Sequence, residues 1–179
     1  FDCLTAWLAP VLSFTAEEAW LVREEGGERE ESVHLRTFPE IPAEWEDPAL
    51  AEKWARLRTL RRVVTGAIEI ERANKTIGSS LQAHPRACAP AEYIAAMEGI
   101  NGAEISITSA FDFVSKGEIS DGFRLDDVPE IVVEIRKAEG GKCDRCWKVL
   151  PEVVESGDAG ICKRCSDVVD KLPQAMPVS

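Results

Sequence analysis

Two pairs of cysteines near the end of the chain have the spacing of a metal site. Cys143 and Cys146 form one C-x-x-C motif, Cys162 and Cys165 form a second, and fifteen residues separate the two motifs. In such a motif two thiolates reach one metal ion from a single tight turn, and two turns supply the four sulfurs of a tetrahedral site. The spacing therefore predicts one zinc ion held by four cysteines. With no open coordination position, the site is predicted to be structural and not catalytic.

The same four cysteines could instead form two disulfides. The cysteine usage and the lack of a secretory segment indicate a reducing compartment, where disulfides are rare, and so favour the metal. Basic residues beside the cysteines also fit zinc, since they offset the excess negative charge of an all-thiolate site: Lys142, Arg145, Lys163 and Arg164. Glycines at positions 140, 141, 157 and 160 supply turns, and we expect the two motifs to lie on facing hairpins.

Helical patterns dominate the first part of the chain. Residues 1–25 have apolar positions at helix spacing in two pieces, with Pro10 at the junction, and Thr15 with Glu18 forms a capping box for the second piece. An acidic connection follows, and it is predicted to contain a short extended stretch near Val33.

The longest predicted helix begins at Pro48, after Asp47, and runs to about Asn74. Its apolar face is expected to pack on other helices, so residues 1–78 are predicted to form a helical bundle. Three tryptophans at apolar helical positions are predicted to be core residues: Trp7, Trp20 and Trp54.

Residues 79–140 have mixed patterns that indicate a small α+β unit. Strands are predicted at residues 80–84 and 131–135, a helix at 90–98, and a further strand from the alternation between Ile105 and Phe113. The predicted fold is therefore mainly α with a small α+β part. It comprises a helical bundle (1–78), an α+β junction domain (79–140) and a four-cysteine zinc ribbon (141–179).

Charge is distributed unevenly along the chain. The net charge is −11, which argues against indiscriminate binding to nucleic acid. Residues 56–90, however, contain seven basic and two acidic side chains, a local charge of +5. One basic segment in an acidic chain suits a specific anionic partner at one face. Its candidate contact residues are Arg61, Arg62, Arg72 and Lys75.

Several stretches resemble one family. Residues 14–20 (FTAEEAW) are similar to a helix of the anticodon-binding domain of isoleucyl-tRNA synthetases, and residues 71–83 resemble that family's R-x-x-K-x-I-G-x-S-L-x-A signature. The cysteine motifs, with Trp147 directly after the first, are similar to the zinc finger that closes the bacterial enzymes. The chain thus resembles the C-terminal region of a bacterial isoleucyl-tRNA synthetase.

The resemblance implies a class I, ATP-dependent enzyme whose catalytic domain lies elsewhere in the same protein. The H-I-G-H and K-M-S-K-S type motifs of that domain do not occur here, so the chain alone is expected to have no catalytic residues. Its implied partner is the anticodon stem-loop of tRNA(Ile). Arg72 and Lys75 would contact phosphates, with Arg61 and Arg62 as further candidates. Trp147 would either stack on a splayed base or pack over the ribbon's own strands.

Other expectations concern the setting of the protein. No apolar run approaches the length that spans a bilayer, so no membrane partner is expected. The expected setting is the cytoplasm, and the expected state is a monomer. The chain starts with Phe1 inside a predicted helix, which suggests a fragment of a longer protein. Two other functions remain open: a zinc-ribbon scaffold that binds proteins through its acidic surface, and a DNA-repair-type zinc-finger module.

Overall fold

The computed structural model describes residues 1–23, 32–153 and 160–172. The chain divides into two compact units, residues 1–48 and residues 49–179. The acidic run at 24–31 and the glycine at 157 lie outside the described residues. Within the described ranges, every helix is too short or too polar to cross a lipid bilayer.

The first unit contains two short α-helices and two single turns of 3₁₀-helix. The α-helices are α1 (Asp2–Leu8) and α2 (Ser13–Val22), and the 3₁₀ turns are Val33–Leu35 and Ala43–Trp45. The predicted pair of helices with Pro10 between them is therefore confirmed. The core of this unit is small and consists of Ala9, Ala16, Trp20 and Val33.

Two details of the first unit differ from the predictions. The capping box is wrong, because α2 begins at Ser13 and Thr15 lies inside its first turn. Glu17, two residues after Thr15, instead accepts hydrogen bonds from the Ser32 hydroxyl at 3.0 Å and the Val33 backbone N–H at 2.9 Å. Those bonds hold Val33 in a 3₁₀ turn, where an extended stretch was predicted.

The second unit is built on one long helix, α3 (Pro48–Ala73), which confirms the predicted helix. Its buried positions recur at helical spacing and are Leu57, Leu60, Val63, Val64, Ala67 and Ile68. These side chains share one core with the inward face of a β-sheet. Ala96, from a later short helix, also belongs to this core, so the helices expected to cover this face form only part of its packing.

The sheet has four strands in the order β2-β1-β4-β3. They are β1 (Ala83–Cys88), β2 (Asp112–Phe113), β3 (Phe123–Leu125) and β4 (Val128–Lys137). Strand β4 lies antiparallel to both β1 and β3, whereas β2 lies parallel to β1. The predicted strand at 131–135 lies inside β4 and is confirmed. A Cβ on Gly66 of α3 would lie 2.6 Å from the Phe123 ring, so glycine there permits the close approach of helix and sheet.

Short helices connect β1 to β2. Helix α4 (Ala91–Ala96) confirms the helix predicted at 90–98, and α5 (Gly102–Ser106) occupies part of the predicted third strand. The strand prediction is wrong for this part because the Asn101 side chain caps α5, accepting from two backbone N–H groups. Ile107 then ends the helix in the left-handed region at φ 56°. Only the end of the predicted alternation, at Phe113, lies in a strand.

The last part of the chain carries the cysteines. It consists of a two-stranded hairpin, β5 (Gly141–Lys142) and β6 (Val149–Leu150), and helix α6 (Lys163–Val169). The predicted borders at 78 and 140 do not coincide with the border between the compact units at 48, and the three-domain division remains a prediction.

Candidate functional site

The first cysteine motif lies on the β5–β6 hairpin. The Cys143 backbone N–H donates to the Lys148 carbonyl at 2.9 Å, and the Trp147 N–H donates to the Cys143 carbonyl at 2.8 Å. These bonds close a tight turn that points both sulfurs to one side. A Cβ on Gly140 would lie 2.1 Å from the Leu150 carbonyl oxygen, so the residue directly before β5 must be glycine. That glycine has φ 109°.

The second cysteine motif differs from the predicted hairpin, because Cys162 is the N-cap residue of α6 and Cys165 lies in its first turn. The Cys162 backbone N–H donates to the Cys143 sulfur at 3.3 Å, which joins the two motifs directly. Asp144 also donates its backbone N–H to the Gly160 carbonyl at 3.0 Å. A hairpin and a helix start therefore face each other across the cluster.

The four sulfurs lie within 4.8 Å of one another. The Sγ atoms of Cys146 and Cys162 are 3.8 Å apart. Four sulfurs bound tetrahedrally to zinc at 2.3 Å would be separated by about 3.8 Å, so the cluster needs little adjustment to hold such an ion. All six cysteines of the chain are free thiols, which contradicts the alternative of two disulfides.

The environment of the sulfurs sets unequal pKa values. Burial alone would raise the pKa of the Cys143 thiol, but backbone N–H groups of Cys146, Cys162 and Arg145 stabilise its thiolate and lower the pKa to about 6. Burial raises the pKa of Cys162 to about 12 and also raises that of Cys146. The Cys143 thiolate is therefore available to bind a cation, and a bound metal ion would displace the protons of the other thiols.

Two of the four flanking basic residues contact the site. Arg145 Nη1 lies 3.8 Å from the Cys165 sulfur and donates to it. The ammonium of Lys142 lies 5.4 Å from the centroid of the Trp147 ring, a cation–π contact. Arg145 therefore fits the predicted role of offsetting thiolate charge.

Trp147 has a strained and exposed position. Its backbone lies in the left-handed region at φ 66°, and its side chain is 61% exposed. The core of this part is instead formed by the cysteines with Val153 and Leu150. This exposure contradicts the reading in which Trp147 fills the core of the ribbon. A strained conformation that displays an aromatic ring is typical of a binding site.

The end of α3 presents a second group of predicted site residues. Lys75 follows the helix with φ 60°, and its backbone N–H donates to the Arg72 carbonyl at 3.0 Å. Arg72 pairs with Glu69 through Nη1 at 2.9 Å. The two basic residues line the same shallow pocket, together with Gly78. The structure thus brings Arg72 and Lys75 together.

Comparison with known proteins finds matches over most of the chain. A family described as the anticodon-binding domain of tRNA ligases matches residues 1–87. The chain is also 53% identical over 154 residues to the isoleucine–tRNA ligase of Agrobacterium fabrum, 49% over 158 residues to that of Mesorhizobium japonicum, and 46% over 156 residues to that of Rhodopseudomonas palustris.

These matches cover most of this chain but only a small share of each relative. Each covers 85% or 86% of this chain but only 15% or 16% of the relative. The chain therefore spans about one-sixth of the length of the isoleucine–tRNA ligases it matches, within their C-terminal part. The resemblance recognised from the residue patterns is confirmed. Neither the scaffold nor the DNA-repair alternative is favoured.

The other two predicted contact residues, both on α3, have partners inside the fold. Arg61 Nε donates to the Ile105 carbonyl at 2.9 Å, and Arg62 Nη2 pairs with Asp127 at 2.6 Å. Both arginines therefore help to attach α3 to the rest of the second unit. Their predicted contacts to RNA remain a prediction.

The three tryptophans predicted to be core residues differ in their exposure to solvent. Trp20 is 7% exposed and confirms its predicted core role, whereas Trp7 and Trp54 are 40% and 38% exposed, so that prediction is wrong for these two. Helical spacing alone predicts that these residues share a helix face, but it does not decide whether that face is covered.

Ser109 is a residue that sequence patterns do not identify. Its buried hydroxyl accepts from the Val149 backbone N–H at 2.7 Å and donates to the Leu81 carbonyl at 2.6 Å. The bonds join residues 28 and 40 positions away in the sequence. A serine in a polar connection has no local signal of such a role.

Proposed function

We propose that this chain is the tRNA-binding part of an isoleucine–tRNA ligase. It holds the anticodon stem-loop of tRNA(Ile) while a catalytic domain elsewhere in the same protein performs the ATP-dependent aminoacylation. The observation that carries the proposal is the match of residues 1–87 to the anticodon-binding family, together with 53% identity to a named isoleucine–tRNA ligase. The proposed setting is a cytoplasmic monomer.

The metal in this proposal is one zinc ion. Among the described residues the cluster contains four cysteines and no other ligand type, which is a donor set that zinc prefers in structural sites. When bound, the ion would cross-link the hairpin and α6 through their sulfurs. The cysteine domain of 141–179 would then be a zinc ribbon, next to a junction domain at 79–140 and a helical bundle at 1–78.

Phosphate binding is assigned to the end of α3. Lys75 occupies a left-handed position that glycine would fill at lower energetic cost, which supports a role for its ammonium group. Arg72 lies beside it, and their combined positive charge would attract the phosphate backbone. Arg61 and Arg62 each use one guanidinium nitrogen in the contacts described, and arginine has further donors for phosphates at the edge of the interface.

Base recognition is assigned to Trp147. Proteins read single-stranded RNA loops largely by stacking splayed bases on aromatic side chains. The exposed indole, with Lys142 above its ring, offers such a surface next to a cation. An anticodon base would stack on the indole while the ammonium contacts a neighbouring phosphate.

The proposed role in catalysis is positioning. Contacts to the anticodon are remote from the reacting atoms, and their binding energy serves to place the acceptor end of the tRNA in the active site. This chain would therefore supply affinity and specificity, and the catalytic domain would supply the chemistry.

Footprinting on a full-length tRNA(Ile) transcript tests the proposal. We expect the zinc-loaded chain to protect the phosphates of the anticodon stem-loop from hydroxyl radicals and to leave the acceptor stem cleaved as in free tRNA. Protection confined to the acceptor stem, or no protection at concentrations that saturate binding, would contradict it.

A further inference from the structure

Ser109 joins two parts of the second unit that are far apart in sequence. The Leu81 carbonyl and the Val149 N–H are both bonded to its hydroxyl, at 2.6 and 2.7 Å. Its own backbone N–H donates to the Ala83 carbonyl at 3.3 Å, which fixes the serine beside the start of β1. The residue is 8% exposed, so the bonds are largely shielded from water.

On the Leu81 side, a rigid segment connects this link to Lys75. Leu81 lies in the 3₁₀ turn Ser80–Gln82, and the Gln82 side chain accepts from the Gly78 N–H at 2.6 Å. Ile77, between Lys75 and Gly78, is 3% exposed and belongs to the main core. The segment from Lys75 to Leu81 is therefore fixed by packing and by its own hydrogen bonds.

The other side of the link leads to Trp147. Val149 lies two residues after the tryptophan, in β6, where it pairs with Lys142 of β5. The Cys143 N–H bonds to the Lys148 carbonyl within the same hairpin. Holding Val149 therefore holds the whole hairpin and the indole that it displays.

The hairpin has room to move when this link is lost. A cleft of about 470 Å³ lies beside Ser109, between α5 and the cysteine hairpin. The chain enters the hairpin through Gly140, whose φ of 109° is reached freely by glycine. Rotation about that residue would change the distance from Trp147 to Lys75.

We propose that Ser109 is a positioning residue that sets the distance and orientation of the Trp147 hairpin relative to Lys75 and Arg72. One RNA loop would then contact the basic helix end with its phosphates and the indole with a base at the same time. This inference rests on the proposed function, because it requires both surfaces to bind the same RNA. Ser109 itself would touch neither the metal nor the RNA.

The test compares Ser109→Ala with Ser109→Thr, which keeps the hydroxyl, and with Thr108→Val as a matched control. Thr108 is fully buried, and its hydroxyl donates to the nearby Ala110 carbonyl at 2.8 Å without contacting the hairpin. Each change is made alone and in combination with Trp147→Ala. Every zinc-loaded variant is then titrated with the tRNA(Ile) anticodon stem-loop. Hydrogen exchange of residues 141–150 is measured in parallel.

We expect Ser109→Ala to weaken RNA binding roughly tenfold and to speed exchange in the hairpin, since a buried donor and acceptor lose their partner. In the Trp147→Ala background the same change should cost less than twofold, because the surface that it positions is gone. Ser109→Thr should restore both readouts. Thr108→Val should lower the melting temperature and leave RNA affinity within twofold of wild type.

Different results would overturn the proposed function and the positioning role of Ser109. A wild-type chain that does not bind the stem-loop overturns the proposed function before any variant is compared. If the wild-type chain binds and the affinity of Ser109→Ala lies within twofold of the wild-type affinity, only the positioning role is overturned. Equal losses of affinity with and without Trp147 would also overturn it, because they indicate a general structural effect.

Discussion

The sulfur of Cys146 lies 3.8 Å from the sulfur of Cys162, although the two residues belong to different motifs. The contact joins a hairpin to the start of a helix. Few apolar side chains surround it: Val153 is buried with the cysteines, and Leu150 is partly buried. A core of that size cannot hold a hairpin and a seven-residue helix together without a cross-link, so the metal is expected to supply most of the local stability.

Removing zinc should unfold the cysteine part and leave the remainder of the second unit folded. Metal binding is worth roughly 10–16 kcal/mol in zinc-finger peptides. The core between α3 and the sheet contains no ligand of the cluster and should survive. Hydrogen exchange after chelation should therefore lose protection at residues 141–153 and 160–172 and keep it at 57–68.

Single cysteine variants supply the matched comparison for that experiment. Cys146→Ser should reduce bound zinc and expose the hairpin to exchange, whereas Cys88→Ser, which changes a cysteine outside the cluster, should retain one zinc per chain. Normal zinc content and unchanged exchange in Cys146→Ser would contradict the four-thiolate site.

Replacing Lys75 by glycine should stabilise the fold and weaken RNA binding. A non-glycine residue at φ 60° costs roughly 1 kcal/mol, and glycine removes that cost while also removing the charge. We expect a higher urea midpoint, a lower affinity for the stem-loop, and a salt dependence reduced by about one phosphate contact.

Lys75→Ala separates the two effects of that change. Alanine removes the charge and keeps the strained backbone, so affinity should fall as for glycine with no gain in stability. If both variants bind the stem-loop like wild type, Lys75 is not a phosphate contact.

Trp147→Ala should lower affinity for the stem-loop about tenfold with little loss of stability, because the indole is exposed. Stacking of one base on an aromatic side chain is worth about 1–3 kcal/mol. Trp147→Phe should recover most of the affinity. Trp45 is exposed to a similar degree, at 62%, so Trp45→Ala controls for the loss of an exposed indole. Equal effects of the two alanine changes would contradict a specific role for Trp147.

Stability below neutral pH should depend on Glu134. The hydrogen bond from Arg86, at 2.9 Å on the facing position of β1, is the main reason that the pKa of this carboxyl lies below 4.5, its ordinary value. A carboxyl with a lowered folded-state pKa contributes stability above its unfolded pKa and loses it as pH falls through the folded value.

Glu134→Gln should therefore be about 1 kcal/mol less stable than wild type at pH 7, and the difference should shrink as pH falls below about 4.5. Urea unfolding at pH 7, 5, 4 and 3 measures it. Glu130→Gln, on the same strand, is the control. A difference that stays constant down to pH 3 would show that the Arg86 pair does not stabilise the charged form.

Features set by local patterns were predictable from the sequence. The cysteine ligand set follows from spacing, and α3 follows from a proline start and a long apolar stripe. Residues 131–135 combine β-branched side chains in a run that favours a strand. In each case neighbouring residues contain most of the information.

Features set by distant contacts were not predictable. The alternation at Ile105 indicated a strand, but the Asn101 cap and the left-handed Ile107 decide for a short helix. The hydroxyl of Ser109 acquires its role from Leu81 and Val149, which no window around the serine includes. The placement of the second cysteine motif on a helix likewise depends on contacts across the cluster.

The most direct test is the affinity of the zinc-loaded chain for the tRNA(Ile) anticodon stem-loop and for the same stem-loop with a changed anticodon, each at 50 and 200 mM salt, roughly the range over which phosphate contacts are lost. We expect at least tenfold tighter binding to the isoleucine anticodon, and weaker binding to both RNAs at the higher salt. Equal affinity for the two stem-loops at both salt concentrations would contradict recognition of the anticodon.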